Sequence, residues 1–478
     1  MTGRTSPAPA RPDGTGAAAY RGALEALFAR RRFGLRPGLE VERALLDALG
    51  APERALPAIH VTGSKGKGSV ATLSAAILRA HGRRTGLYTS PHLASYRERM
   101  RRDGEEISPE EVVAGLARVE AAAERCRRAG TIDREPTFFE ATTAVALDWF
   151  ARGGVTAAVI EVGIGGRLDA TNVLASRVGV LTTVELEHTE ILGRTVGAIA
   201  TEKAGIFHPG MHGLLGELPA EAEAAAERIA GRAGVPLWHL GREVRAERTE
   251  LGPDGQTIAV RGPDFEIADL HLPLLGAFQV GNVGLAVAAA ARFLAAEGAS
   301  LDRAAVRRGL ARVRVPGRLQ RMARDPELFY DVAHTPGSAR AVAVSLAEIA
   351  PLADPDASAI VFGCLAGKDV GNILEALAPL ARTLVIVPVR SQRAMPIAEM
   401  RAAAVARFPR LVLAPEAASA VRLARAATGP DGITLVTGSD YLVGELLRGP
   451  DAADEPDLSD PGQEPGTERP TAAPAERR

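Results

Sequence analysis

The residues best suited to chemistry cluster in one string, HVTGSKGKGSV at positions 60–70, where an apolar run enters a glycine-rich turn and then a helix-compatible segment, ATLSAAILRA. That order suits phosphate binding. Gly63, Gly66 and Gly68 let backbone N–H groups approach an anion, and a helix starting behind them presents its positive end. Lys67 would bring a cation to the β- and γ-phosphates of a nucleotide, and Ser69 a hydroxyl beside phosphate and metal. The spacing is not that of the common nucleotide-hydrolase loop, GxxxxGK followed by Ser or Thr: only two residues separate Gly63 from Gly66, and Gly68 stands between Lys67 and Ser69. An ordinary strand-to-helix turn is the competing reading, and the context on both sides weighs against it.

Two further positions complement the loop. Ser90 follows an extended run and opens a proline-containing turn, from which its hydroxyl could reach a phosphate-bound metal; in isolation it would read as a turn serine. Glu161 ends the apolar run TAAVIEVG, where a carboxylate is costly unless paired or metal-bound, and Gly163, Gly165 and Gly166 open the backbone beside it. That makes Glu161 a candidate magnesium ligand.

The form TGxxGKGS resembles the ATP loop of the Mur ligase superfamily and, within it, the folylpolyglutamate synthase and dihydrofolate synthase family. The resemblance runs nearly the whole chain: SPHL, an ER dipeptide and GEEIS within 88–108; PTFFEATTAVALDWF at 136–150; AAVIEVGIGGRLDATNVL at 157–174; EHT, LG and EKAGI within 182–207; LPLLGAFQVGNVGLAVAAA at 272–290; PGRLQ at 316–320; DVAHTPGSA at 331–339; and LVTGSDYLVGEL at 435–446.

The resemblance implies Ser90 and Glu161 as ligands of one Mg2+, His188 as a ligand of a second, and Lys203 as a carbamate. A carbamate turns a cation into a metal-bridging anion and requires a neutral amine to form. It further implies Thr137, Phe138, Phe139, Glu140, Leu168, Asp169 and Ala170 as contacts to a pterin-bearing substrate. Asn282, Arg318, Asp331 and His334 would contact ATP across a domain cleft, Arg318 clamping the γ-phosphate. Catalysis would rest on Lys67, His188, Lys203 and Arg318. Four departures stand out. Glu187 replaces the usual Asp before the histidine, Val332 and Thr335 interrupt the DGAHNP pattern, and Arg32, beside FGLRPGLE at 33–40, which only loosely matches the family's dihydropteroate-contacting segment, stands where an acidic residue is common.

The implied activity is ATP-dependent addition of L-glutamate to tetrahydrofolate, folate or dihydropteroate through an acyl phosphate. ATP and two Mg2+ ions would serve as cofactors, with a monovalent cation such as K+ admitted, and the enzyme would act as a monomer. Two other readings compete: a Mur-type amide ligase for a different carboxylate, and a nucleotide-binding regulatory protein without catalysis. TFFE and GGRLDATN argue against the first, and the intact polar set against the second. First-glutamate addition, polyglutamate extension or both remain open.

The framework needed to hold these residues is an α/β one. Short β-branched runs at 57–62, 86–89, 156–163 and 178–184 alternate with Ala-, Leu- and Arg-rich segments, as in a helix-covered parallel sheet. Between His212 and Pro273 the alternation loosens into apparent hairpins, and a second strand series follows at 328–334, 359–365, 383–389, 410–415 and 433–439. With 478 residues, too many for one core, the expectation is an ATP-binding domain at 18–305 with a mostly parallel sheet and a smaller Rossmann-like domain at 306–449, the boundary lying near Leu301 to Val315. The polar, Pro-rich ends, 1–17 and 450–478, are expected to be disordered. Fifty-seven basic and fifty-eight acidic residues give no case for nucleic acid. The absence of an apolar leader, and only two scattered cysteines, Cys126 and Cys364, suit the cytoplasm rather than a membrane or an oxidising compartment.

Overall fold

The computed structural model describes residues 14–30, 36 and 38–448; the expectations for 1–13, for Arg32 and for 450–478 lie outside the described residues. Residues 14–17, expected to be disordered, instead begin the helix Gly14–Ala29. Tyr20, Leu24 and Leu27 share one face of it and are buried, which offsets the cost of ordering the segment.

Strands β1 (Ala58–Thr62), β2 (Thr85–Tyr88), β3 (Met100–Arg102), β4 (Glu105–Glu106), β5 (Ala157–Glu161), β6 (Val178–Leu181), β7 (His212–Leu215) and β8 (Leu237–His239) form one sheet in the order β4-β3-β2-β5-β1-β6-β7-β8. All neighbours from β2 to β8 run parallel, and β3 and β4 add an antiparallel edge. β1, β2, β5 and β6 are buried throughout, as strands covered on both faces must be. The register pairs Val61 with Glu161 and Thr62 with Leu181, so the carboxyl ends of β1, β5 and β6 emerge side by side. Ligands of open α/β sheets gather at such an edge.

The α/β rhythm does not loosen at His212. β7, the helix Ala220–Ala233 and β8 extend the parallel sheet, and the hairpin region starts only at β9 (Arg245–Gly252), followed by β10 (Gly255–Gly262) and β11 (Phe265–Leu272). The helix was hard to see because its buried face is all alanine: Ala222, Ala225, Ala226 and Ala230. The helix Phe278–Ala295 packs against both this three-stranded sheet and the large one. By length and composition it could cross a membrane, but 72% of it is buried, which accounts for its apolar character.

The helix Arg303–Leu310 packs on Lys67–Ala80, where any side chain at Gly309 would bring a Cβ within 2.7 Å of Ala76 O. This helix thus packs with the N-terminal unit, inside the Leu301 to Val315 stretch expected to hold the boundary. Beyond it, β12 (Gln320–Arg324), β13 (Glu327–Tyr330), β14 (Ala359–Phe362), β15 (Thr383–Ile386), β16 (Arg410–Leu413) and β17 (Ile433–Thr437) form a second sheet, ordered β12-β13-β17-β14-β15-β16. It is parallel except for the edge strand β12. Several strands stop short of their expected ends: the residues that follow, such as Val184, Val332 and Val387, are buried and as apolar as the strands themselves, so composition does not mark the end.

Candidate active site

A cleft of about 720 Å3 opens at the carboxyl ends of β1, β5 and β6 and is closed by residues of the C-terminal unit. Of the candidate catalytic, metal, nucleotide and substrate residues named from sequence, all line it except Gly63 and Lys203, which lie just behind. The loop leaving β1 requires glycine at two points. Gly63 has φ 147° and a Cβ there would sit 1.9 Å from Thr182 Oγ1; Gly66 has φ 83° and a Cβ would sit 2.5 Å from Asn282 Oδ1. Asn282 is thereby placed directly against the loop, its Nδ2 donating to Gln279 Oε1 at 2.9 Å. The loop is clamped to the segment after β6: Ser64 N donates to Thr183 O and Lys65 N to Thr183 Oγ1, both at 2.8 Å, and Lys65 O accepts from Thr182 Oγ1 at 2.5 Å. Lys67 begins the helix Lys67–Ala80, and its Nζ donates to Gly63 O at 2.9 Å.

Glu161, at the end of β5, is only 4% exposed and accepts from Ser90 N at 2.9 Å through Oε2. Burial raises its pKa, while Lys67 and the Ser90 N–H pull the other way. A Cβ on Gly68 would lie 3.4 Å from the same oxygen, so the carboxylate rests against the loop. Glu161 together with the hydroxyls of Ser69 and Ser90 is an all-oxygen donor set, which fits Mg2+.

His188 adopts φ 46°, a left-handed conformation rare for a side chain of its size, in the loop after β6. Burial lowers its pKa, keeping the ring neutral and competent as a metal ligand. Behind it Lys203 Nζ, 2% exposed, donates to Gly63 O at 3.0 Å and to Glu187 Oε1 at 2.9 Å. Burial and the nearby Lys67 lower the Lys203 pKa to about 8. For Glu187 burial pushes upward, but Lys203, Lys67 and Lys65 outweigh it and bring the carboxyl down to about 2. The pair therefore holds a firm carboxylate beside an amine that gives up its proton readily.

At the other end of the cleft, three of the expected substrate contacts spend their side chains inside the protein. Thr137 and Glu140 form a reciprocal cap on the helix Phe138–Arg152, and Glu140 also takes both Arg134 nitrogens, at 2.7 and 2.8 Å. Asp169 accepts from Gly163 N and Ile164 N at 3.1 and 3.0 Å and from Thr171 N and Oγ1. What remains toward the cleft is a fixed wall bearing Phe138, Phe139, Leu168 and Ala170. Arg99, which sequence reasoning did not single out, stands 5.1 Å over the Phe138 ring with Nε on His92 Nδ1 at 2.6 Å. Its signal was the ER dipeptide at 98–99.

From the C-terminal unit, Asp331 accepts from Leu319 N and Ala333 N, both at 2.7 Å, and so fixes the turn that carries Arg318; burial pushes its pKa up to about 6. His334 Nδ1 lies 2.9 Å from Val332 O, and burial lowers its pKa to about 4 against the pull of Asp440. Thr335, one of the departures, caps the helix Pro336–Ile349 with its hydroxyl. Lys65, Arg393 and Asp440 also line the cleft and were not named from sequence.

Two α/β units sharing a phosphate-loop cleft define a Mur-type ligase, and the comparisons with known proteins agree. Residues 61–290 match the Mur ligase middle domain and residues 317–440 the Mur ligase glutamate ligase domain. The dihydrofolate synthase/folylpolyglutamate synthase of Mycobacterium tuberculosis is 38% identical over 389 residues, 78% of either chain. The "Probable bifunctional folylpolyglutamate synthase/dihydropteroate synthase" of Haloferax volcanii is 37% identical over 89% of this chain, which spans about half (50%) of that relative's length. The solved Mycobacterium tuberculosis folylpolyglutamate synthase complexed with ADP superposes with a TM-score of 0.83 at 35% identity, covering 90% of this chain and 98% of that one. The chain belongs to the folylpolyglutamate synthase and dihydrofolate synthase family of Mur ligases.

Proposed function

We propose that this chain is an ATP-dependent ligase that joins L-glutamate to a tetrahydrofolate and to dihydropteroate through an acyl phosphate. One observation carries the reading: Lys67 on the loop of one unit and Arg318 on a braced turn of the other line the same cleft, beside the buried carboxylate of Glu161. A carboxylate becomes an acyl donor only when one oxygen is made a good leaving group. The pterin-bearing carboxylate attacks the γ-phosphate of ATP, the acyl phosphate forms, and the amine of glutamate displaces phosphate.

Each step brings anions together, so charge must be neutralised in place. Lys67 and Arg318 do this for the transferring phosphoryl group, and the amides of the glycine loop hold the phosphates. Asn282 and His334 position the nucleotide from the far side. Glu161, Ser69 and Ser90 would hold one Mg2+, and His188 with a Lys203 carbamate a second. Bound there, the ions would add Lewis-acid stabilisation of the phosphoryl oxygens. The wall formed by Phe138, Phe139, Leu168 and Ala170 seats the flat pterin, with Thr137, Glu140 and Asp169 keeping it in shape. Closure of the two units on the reactants excludes water, which would otherwise hydrolyse the acyl phosphate. The reading goes with a cytoplasmic enzyme, where ATP and glutamate are supplied.

The test is phosphate release by purified protein supplied with ATP, glutamate and, separately, tetrahydrofolate, dihydropteroate or a cell-wall precursor. Turnover should require glutamate and proceed with each of the two pterins. Turnover with the cell-wall precursor alone, or without any acceptor, would overturn the assignment.

A further inference from the structure

The phosphate loop carries a second lysine that the mechanism above leaves unused. Lys65 is anchored by its backbone: its N–H is given to Thr183 Oγ1 at 2.8 Å and its carbonyl accepts from Thr182 Oγ1 at 2.5 Å and Thr183 Oγ1 at 3.2 Å. Its amide is thus unavailable to a phosphate, and only the side chain can act. That side chain lines the cleft, partly buried, and among the described residues its Nζ has no hydrogen-bond or ion-pair partner.

Among the described residues neither of the two nearby carboxylates forms an ion pair with Lys65. Glu187 is held by Lys203 at 2.9 Å. Glu185 lies against the first turn of the helix Pro336–Ile349, where a Cβ on Gly337 would be 3.4 Å from Oε1 and the helix dipole favours a negative charge. Burial lowers the Lys65 pKa, Glu187 and Glu185 pull it up, and Lys67 and Lys368 press it down. An ammonium held in a cleft near Lys67 and Lys368, with one of its two nearby carboxylates already taken by Lys203, is costly unless a reactant supplies the anion.

We propose that Lys65 is a second phosphate-loop cation, contacting the γ-phosphoryl oxygens from the side of the C-terminal unit while Lys67 contacts them from the helix side. The inference rests on the ligase reading for its catalytic consequence but not for the contact itself. Two cations flanking one phosphoryl group would stabilise the charge that develops as an anionic carboxylate approaches it, which a single lysine does from one side only.

The variants Lys65→Met, which keeps the chain length and packing, and Lys65→Arg, which keeps the charge, test this. Binding of ADP and of a β,γ-methylene ATP analogue is measured first. The Met variant should hold ADP within about threefold of wild type but lose about tenfold or more for the analogue, the scale of one charge-assisted contact. Its kcat should fall at least about tenfold with KM for glutamate and pterin unchanged, and the Arg variant should recover most of both losses. Equal weakening toward both nucleotides, no change toward either, or a defect confined to the KM for glutamate would overturn the proposal, the last by assigning the lysine to the amino acid's carboxylate. Should wild type release no phosphate with any pterin, the ligase reading falls, while the two nucleotide affinities still decide the contact.

Discussion

The two ends of the cleft treat charge in opposite ways. Where the pterin would lie, the acidic groups are already answered: Glu140 by the fork of Arg134 and the Thr137 N–H, Asp169 by three amides and the Thr171 hydroxyl. Where the triphosphate would lie, charge is left in reserve. Among the described residues Glu161 has one N–H donor, Lys67 reaches only the Gly63 carbonyl, and Lys65 Nζ has no partner. On the proposed function, the difference follows from the reactants. A flat ring is recognised by shape, and shape needs a rigid wall whose polar groups are satisfied internally. A polyanion is recognised by charge, and preorganised charge stabilises a transition state only if it is not already spent.

The largest expected effect lies at the reserved end. Lys67→Ala should lower kcat/KM by about a hundredfold or more with little change in thermal unfolding, the scale of removing one preorganised charge. A fully active variant would erase the contrast between the ends. Next comes Lys203. With a pKa of about 8 its amine becomes neutral as pH rises through 8, so uptake of labelled carbon dioxide, followed by 13C NMR, should grow between pH 7 and 9. Lys203→Ala should lose most activity and regain part of it with a short carboxylate; undiminished turnover would exclude a carbamate role.

At the braced end the effects should be smaller and fall on structure and acceptor. Asp169→Asn should cost about 1–3 kcal/mol of stability and raise the KM for the pterin while leaving that for ATP alone, because one set of buried donors loses its acceptor. A rise in the ATP KM would contradict the division of labour. Thr137→Ala, which removes half of the cap on Phe138–Arg152, should cost about 1 kcal/mol in a denaturant titration and raise the KM for the pterin only slightly.

Much of this was legible before the structure because phosphate binding constrains local sequence tightly. A strand, glycines at fixed places and a lysine at a helix start leave few alternatives, and β1, the loop and Lys67–Ala80 lie where the string placed them. Glu161 was visible for the same reason, as a charge at the end of an apolar run. The helix Ala220–Ala233 and β7 and β8 were not, since an alanine face buries too little to mark a period and neither HGLL nor LWH contains a β-branched residue. Lys65 and Asp440 could not be told from the many other charged residues until the cleft showed which ones face it, and Arg99 was marked only by its place in the ER dipeptide. The internal commitments of Thr137, Glu140 and Asp169 were equally hidden, because a motif shows that residues belong to a site and not which way their side chains point.

The central claim is that a carboxylate oxygen is transferred to phosphate on the way to the amide. It is tested most directly with a pterin substrate whose reacting carboxylate carries 18O at both oxygens, incubated with ATP, glutamate and the purified protein. Passage through an acyl phosphate leaves one labelled oxygen in each inorganic phosphate released. Phosphate free of label, formed alongside ligated product, would show that the carboxylate was never phosphorylated.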